Sequence, residues 1–504
     1  MKKDDFSHSD DNGLIDDNTE ILIAKAGNSF VSFHGSKLST FGLISIGIIS
    51  VDSIKNLPFN AALGFTSLFF YIVLGLFFFL PLTIVTQEFA TQYSSTGGSY
   101  LWVKSAFGMK FAFITMWLQW VGQVIWYPTG FTFVATTLLA MIDDSLVNNK
   151  GYLVLICFVL FALITLISMR GVEATSHVSV ICSIFGTIFP MAVIVILGIV
   201  WLAKGEKSGI DFTAKSFFPS GNSMDNLNYF GTILFSIQGI EVIAMHAKEV
   251  ENPKKSYPIA LAVAGSFIMV SLSLATLFLA VIVDHDTLNN QLAEGVINVF
   301  KTFFDSYGMS WATYFMGVFL IMGTLGVASS WIIGLARGLA VAFADAEVMP
   351  KWILKKNKYD IPYRILMMQG CVYVILLLLM LFIPDAANSF YALLQILSTQ
   401  FSLFYYLLLF CAIIELQRKK RGKVIIGSLV LNVLPMICCL AGIALEFIPP
   451  PAFSNAITFE IELIVGEFIF FSPVIAIFFL AKKRITRNSV DNRSINSAKA
   501  VDFR

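Results

Sequence analysis

Charge is scarce in this chain. Asp, Glu, Lys and Arg make up 13% of its 504 residues, about half the 25% of an ordinary soluble domain. So little polar surface cannot coat a water-exposed body. The formal net charge is only +1, which argues against a nucleic-acid or polyanion partner. No P-loop occurs, so ATP is not the expected energy source. His8, His34, His177, His246 and His285 are scattered without metal-ligand spacing, so no metal site and no cofactor are expected. The six cysteines lie inside apolar runs with no spaced C-x-x-C pair. They read as small buried hydrophobes rather than a disulfide framework. The first 36 residues hold seven acids and three lysines and lack the basic start and short apolar core of a signal peptide. They are expected to form a cytoplasmic, partly disordered tail.

What is abundant is apolar length. Hydrophobic residues are 57% of the chain, Phe alone counting 48. Apolar stretches near the 20 residues that cross a bilayer recur at 37–55, 62–88, 111–141, 151–169, 175–203, 227–247, 257–283, 311–345, 363–383, 389–414, 424–447 and 459–481. The expected architecture is therefore an all-α integral membrane protein of about twelve transmembrane helices. Twelve spans put both termini on one side. That side would carry 27 Lys and Arg, and the other side 6, Lys55 among them. The positive-inside rule then places both termini in the cytoplasm. Residues 482–504 form a second cytoplasmic tail.

The two spans with polar interruptions are the informative ones. Ser45, Gly47 and Ser50 interrupt the first, and Gln238, Gly239 and Glu241 the sixth. Any single Gly in a membrane helix is well explained by close packing. A matched pair in equivalent positions of two five-helix halves, 37–203 and 227–414, points instead to broken helices in an inverted repeat. Broken helices expose N–H groups at one half-helix start and carbonyls at the other half's end, poles suited to the carboxylate and ammonium of an amino acid. Glu241 stands out because a mid-bilayer charge costs about 2.5–3.5 kcal/mol even on the forgiving insertion scale. It reads either as a cap on a broken helix or as a proton-linked or substrate-linked gate.

Several motifs carry a resemblance. Gln238-Gly239-Ile240-Glu241, followed by Glu249-x-x-Asn252-Pro253 and Pro258, resembles the sixth-helix signature of the amino acid–polyamine–organocation superfamily. Glu88 followed by Gly97-Gly98-x-Tyr100-x-Trp102 is similar to that superfamily as well. Within it, Phe217-Phe218-Pro219 and Ser330-Trp331-Ile332-Ile333-Gly334, then Arg337-Gly338 and Met349-Pro350, resemble the bacterial glutamate/GABA antiporter family. The resemblance spans about residues 37–480 and implies a 5+5 inverted repeat with helices 1 and 6 broken and helices 11 and 12 peripheral. It implies that the backbone of Ser45, Ile46 and Gly47 holds the substrate carboxylate. Phe235 would be an aromatic gate, with Ser236, Gly239 and Glu241 around the substrate. Trp331 would line the pocket, although without the resemblance it reads as a packed aromatic. Gln119, Trp120, Gln123 and Trp126 in span three, and Tyr391, Gln395, Ser398 and Thr399 in span ten, are further pocket candidates.

The sequence thus predicts an amino-acid carrier in a bacterial inner membrane, not an enzyme, most simply a glutamate/GABA-type exchanger working by alternating access. Its partners would be small amino acids and the lipid bilayer. A proton-coupled amino-acid or polyamine symporter or uniporter is the alternative, and a membrane amino-acid sensor a more distant one. The tail at 482–504 is short and lacks His, unlike the long segment that plugs the mouth of the best-known antiporter of that family. No Lys lies in span five, where some proton-coupled relatives carry one.

Overall fold

The computed structural model describes residues 39–477 except 52–53, 93–97, 171–180, 183, 220–226, 228, 247–249, 251, 285–286, 289–291, 347–348, 383–388, 422–425, 451–452 and 454. The two tails fall outside these residues, as do Gly97, Glu249 and the end of span twelve. Among the described residues the chain is helical, with no strand. Hydrocarbon offers backbone N–H and C=O groups no partner, so each apolar run closes its own ladder as a helix.

Among the described residues ten helices are long and apolar enough to cross a membrane. The first, running over Thr40–Ala61, consists of α1a, Thr40–Val51, and α1b, a 3-10 turn at Ile54–Asn56 running into Leu57–Ala61. There follow α2 (Thr66–Thr91), α3 (Met109–Ile142), α4 (Lys150–Ser168) and α5 (Ile184–Ala203). Span six is short and interrupted: α6a, Tyr229–Ser236, gives way to a 3-10 segment α6b, Ile240–His246. Then come α7 (Pro253–Ile282), α8 (Trp311–Ala346), α9 (Tyr363–Phe382), α10 (Tyr391–Arg421) and α11 (Ile426–Leu445). A final helix, α12, covers 456–477.

Helix α3 is the pillar of the bundle and packs along both α8 and α10, with α4 and α9 beside it. A second group forms where α1a packs on α7 and α6b, and α2 packs on the same two. Gly186 of α5 and Gly323 of α8 bring two backbones into contact; a Cβ at 323 would stand 2.2 Å from the Gly186 carbonyl oxygen. Small residues at such a crossing permit the close approach that packs helices in lipid. Exposed Leu155, Phe158 and Leu166 on α4, and Phe468 on α12, form part of an apolar outer belt. Cys371 is exposed on this belt, so it departs from the expectation of six buried thiols; Cys157, Cys438 and Cys439 are buried.

Three motif residues fix the chain between α2 and α3. Gly98, at φ +47°, opens the helix Gly98–Phe107. From it Tyr100 donates to Asp345 Oδ2 at 2.6 Å, and Lys104 pairs with the same carboxylate at 2.5 Å. Trp102 is buried against Phe89.

Candidate substrate-binding site

A partly open cavity of about 590 Å³, counting the space open to solvent, lies where both interrupted helices meet α3, α8 and α10. From α1a come Ile49, Ser50 and Val51; from α3, Gln119, Gln123 and Trp126. Span six contributes Phe235, Gln238, Gly239 and Glu241, and α8 contributes Val327 and Trp331. Ser402, Tyr405 and Tyr406 of α10 complete the wall.

The break in span six falls at 237–239, between α6a and α6b. Gly239 adopts φ +104°, a backbone region that side chains with a Cβ rarely enter. A Cβ there would come within 2.6 Å of the Ser50 carbonyl oxygen and 3.4 Å of Trp331 Cζ2. The two interrupted helices therefore touch at Ser50 and Gly239, under the indole of Trp331.

Span one is not interrupted where expected. Ser45, Ile46 and Gly47 lie in continuous α-helix and do not line the cavity. The hydroxyl of Ser45 donates to the Phe41 carbonyl at 3.0 Å, back along its own helix. Gly47 serves close packing: a Cβ on it would meet Ile243 Cδ1 at 2.6 Å. Its backbone amide and carbonyl stay within the helix, so this Gly marks a crossing point rather than a break. Regular α-helix ends at Val51, and a 3-10 turn begins at Ile54.

Glu241 is 2% exposed. Its carboxylate accepts from the Tyr406 hydroxyl, at 2.8 Å to Oε2 and 2.9 Å to Oε1, and from the Tyr405 hydroxyl at 3.3 Å. Tyr406 Oη in turn accepts the Gly239 N–H at 2.8 Å. One phenol thus links a freed backbone donor to the buried carboxylate, so the cap is built through α10 as well as span six. Tyr257 donates to the Ile243 carbonyl at 3.0 Å, satisfying an acceptor of α6b. Tyr257 stands directly before Pro258 of the sixth-helix motif.

Of the residues singled out in the sequence, Phe235, Gly239, Glu241, Trp331, Gln119 and Gln123 come together on this cavity, with Trp126. Ser236 stands behind the wall, donating to the Thr232 carbonyl at 2.8 Å and accepting from Asn60 at 2.9 Å. Trp120 turns to α9, where it donates to Gln369 Oε1 at 3.1 Å. Tyr391, Gln395, Ser398 and Thr399 are buried but not on the cavity. Ser402, Tyr405 and Tyr406 escaped sequence reasoning, and Ser50 and Gln238, read there as interruptions of their spans, also line the cavity. Two adjacent tyrosines inside an apolar run give no periodic signal; only the carboxylate they meet across the bundle singles them out.

Lys55 also departs from the sequence reading, which counted it as a loop residue. It is buried, 1% exposed, and donates to Gln395 Oε1 at 2.6 Å. The interrupted helix carries it inside because the chain does not leave the bundle until after α1b.

Comparison with known proteins agrees with this geometry. The family model for amino acid permeases matches residues 36–480. An uncharacterized transporter of Legionella pneumophila is 38% identical over 87% of this chain and 96% of its own length. A glutamate/gamma-aminobutyrate antiporter of Lactococcus lactis is 23% identical over 85% of this chain and 87% of its own. A probable agmatine/putrescine antiporter of Lactococcus lactis is 25% identical over 81% and 88%. A cavity at the meeting of two interrupted helices, inside an all-helical membrane bundle matched from end to end, identifies a transporter rather than an enzyme: the chain belongs to the amino acid permease family of the amino acid–polyamine–organocation superfamily.

Proposed function

We propose that this transporter exchanges amino acids by alternating access, in the manner of a glutamate/GABA-type antiporter. The observation that carries the reading is the contact of Ser50 with Gly239, which brings both helix interruptions to one cavity. There the half-helix ends offer a positive pole to the carboxylate and a negative pole to the ammonium of a substrate. Phe235 and Trp331 supply apolar faces on either side, and Gln119 and Gln123 supply polar contacts from α3. The glutamate/gamma-aminobutyrate antiporter among the relatives supports the substrate class.

In this reading residues 37–203 and 227–414 are inverted five-helix halves, and α11 and α12 are peripheral. The α1–α2–α6–α7 group would rock against α3, α4, α8 and α9, a division that follows the packing groups. Both termini would face the cytoplasm of a bacterial inner membrane. Taking buried Lys55 out of the loops lowers the outer side from six Lys and Arg to five against 27, which strengthens that orientation.

Counterflow tests the exchange. Proteoliposomes loaded with labelled glutamate should lose label several-fold faster into glutamate or GABA than into amino-acid-free buffer. Equal loss in both leaves a uniporter. Loss that instead follows an imposed proton gradient leaves a symporter.

A further inference from the structure

Lys55 is a cation with no carboxylate against it among the described residues. Its ammonium meets Gln395 Oε1, lies 5.2 Å from the centroid of the Trp126 ring and 5.7 Å from that of Tyr391. Removing an ammonium from water costs several kcal/mol. Two ring faces offset part of this cost, and one amide oxygen adds a single charged hydrogen bond. The charge is incompletely compensated.

The surroundings are rich in donors. An ammonium has three N–H bonds, one of which Gln395 accepts. Gln395 Nε2 and Tyr391 Oη have no hydrogen-bond partner among the described residues, and both residues are at most 2% exposed. Of these two groups the Tyr391 hydroxyl can also accept, but neither carries negative charge. Among the described residues no negatively charged acceptor stands in this shell. A carboxylate, with two oxygens and about four lone-pair sites, meets that demand.

This shell adjoins the substrate cavity. Trp126, whose indole lies beside the Lys55 ammonium, also lines the cavity. The indole packs over Gly130, where a Cβ would stand 2.9 Å from the ring, so its seat depends on the missing side chain. Lys55 also belongs to the same interrupted helix as Ser50. A substrate held at the helix ends by its α-amino and α-carboxyl groups has one ring between its side chain and this cation.

We propose that Lys55 receives the side-chain carboxylate of the substrate and makes the carrier select acidic amino acids over neutral ones of the same size. Trp126 is the movable partition between cavity and cation, and Gln395 is a positioning residue that orients the ammonium. This inference rests on the amino-acid transport reading.

Glutamate and glutamine test it, since they match in shape and differ in charge. In proteoliposomes the wild-type protein should favour glutamate over glutamine in competition by roughly ten- to a hundredfold, the worth of a charged hydrogen bond. Lys55→Met should bring that ratio near one while glutamine transport persists, and Lys55→Arg should keep the preference. A wild type without the preference, or a Lys55→Met protein that retains it, overturns the proposal and leaves amino-acid transport standing. A wild type that moves no amino acid overturns both. Should Lys55→Met fail to fold, thermal unfolding of the wild type in detergent decides: glutamate must raise its midpoint more than glutamine does. Replacing chloride with gluconate should leave the preference unchanged; if it changes the preference as Lys55→Met does, an inorganic anion occupies the shell and the proposal falls.

Discussion

The α-carbon of Gly239 lies so close to the carbonyl oxygen of Ser50 that a Cβ on residue 239 would stand 2.6 Å from it. No side-chain rotation relieves such a contact, because the obstacle is backbone. The positive φ of Gly239 adds roughly 1–2 kcal/mol for any residue with a Cβ. Gly239→Ala should therefore separate the two interrupted helices and lower the initial transport rate at least tenfold. Uptake assays on protein matched for membrane yield check this; near-normal uptake would show that the contact is dispensable.

Tyr406 joins the Gly239 N–H to the Glu241 carboxylate. Tyr406→Phe strips both of that partner at once, and a buried group left unpaired costs about 1–3 kcal/mol. The thermal midpoint in detergent should fall by several degrees. An unchanged midpoint would mean that Tyr405 and solvent take over.

Glu241→Gln separates cap from gate. The amide keeps an oxygen that can accept from Tyr406 but cannot ionise. Stability should stay near wild type while the dependence of transport on pH flattens. A pH profile identical to wild type would confine Glu241 to capping.

Trp331 lines the cavity and packs at Gly239. Trp331→Ala should weaken apparent substrate affinity more than tenfold, measured by competition at fixed label. A near-normal affinity would place the indole outside the bound substrate's reach.

Outside the spans, Glu294 precedes the helix Gly295–Ser306. Burial pushes its carboxyl up from 4.5 to about 7, Asp144 adds to the rise, and Lys301, which pairs with Asp144, opposes it. Between those values the folded protein binds more protons than the unfolded chain, so stability falls as pH rises from about 4.5 to 7 and levels off above. Glu294→Gln should remove this decline and be the more stable form at pH 8. Unfolding midpoints from pH 4.5 to 8 measure it, and parallel curves for the two proteins would contradict the assignment.

How far the sequence reached depended on whether a feature was local. Helix count and the apolar belt follow from composition and run length, because hydrocarbon forces each backbone to satisfy itself. The interruption of span six was legible as well: Gly239 beside Glu241 in an apolar run is a local signal. Gly47 gave the same signal and meant something else. Only the position of Ile243 across the bundle tells that it is a crossing point.

The rest was decided by tertiary structure. Tyr405 and Tyr406 became cavity residues because α10 sets their hydroxyls against Glu241, a contact across more than 160 residues of chain. Lys55 became a buried cation because α1b stays inside the bundle and Gln395 and Trp126 close over it. Pattern along a chain reports which faces avoid water. Which polar groups meet inside is set by the packing of distant helices, and that is where the choice of substrate resides.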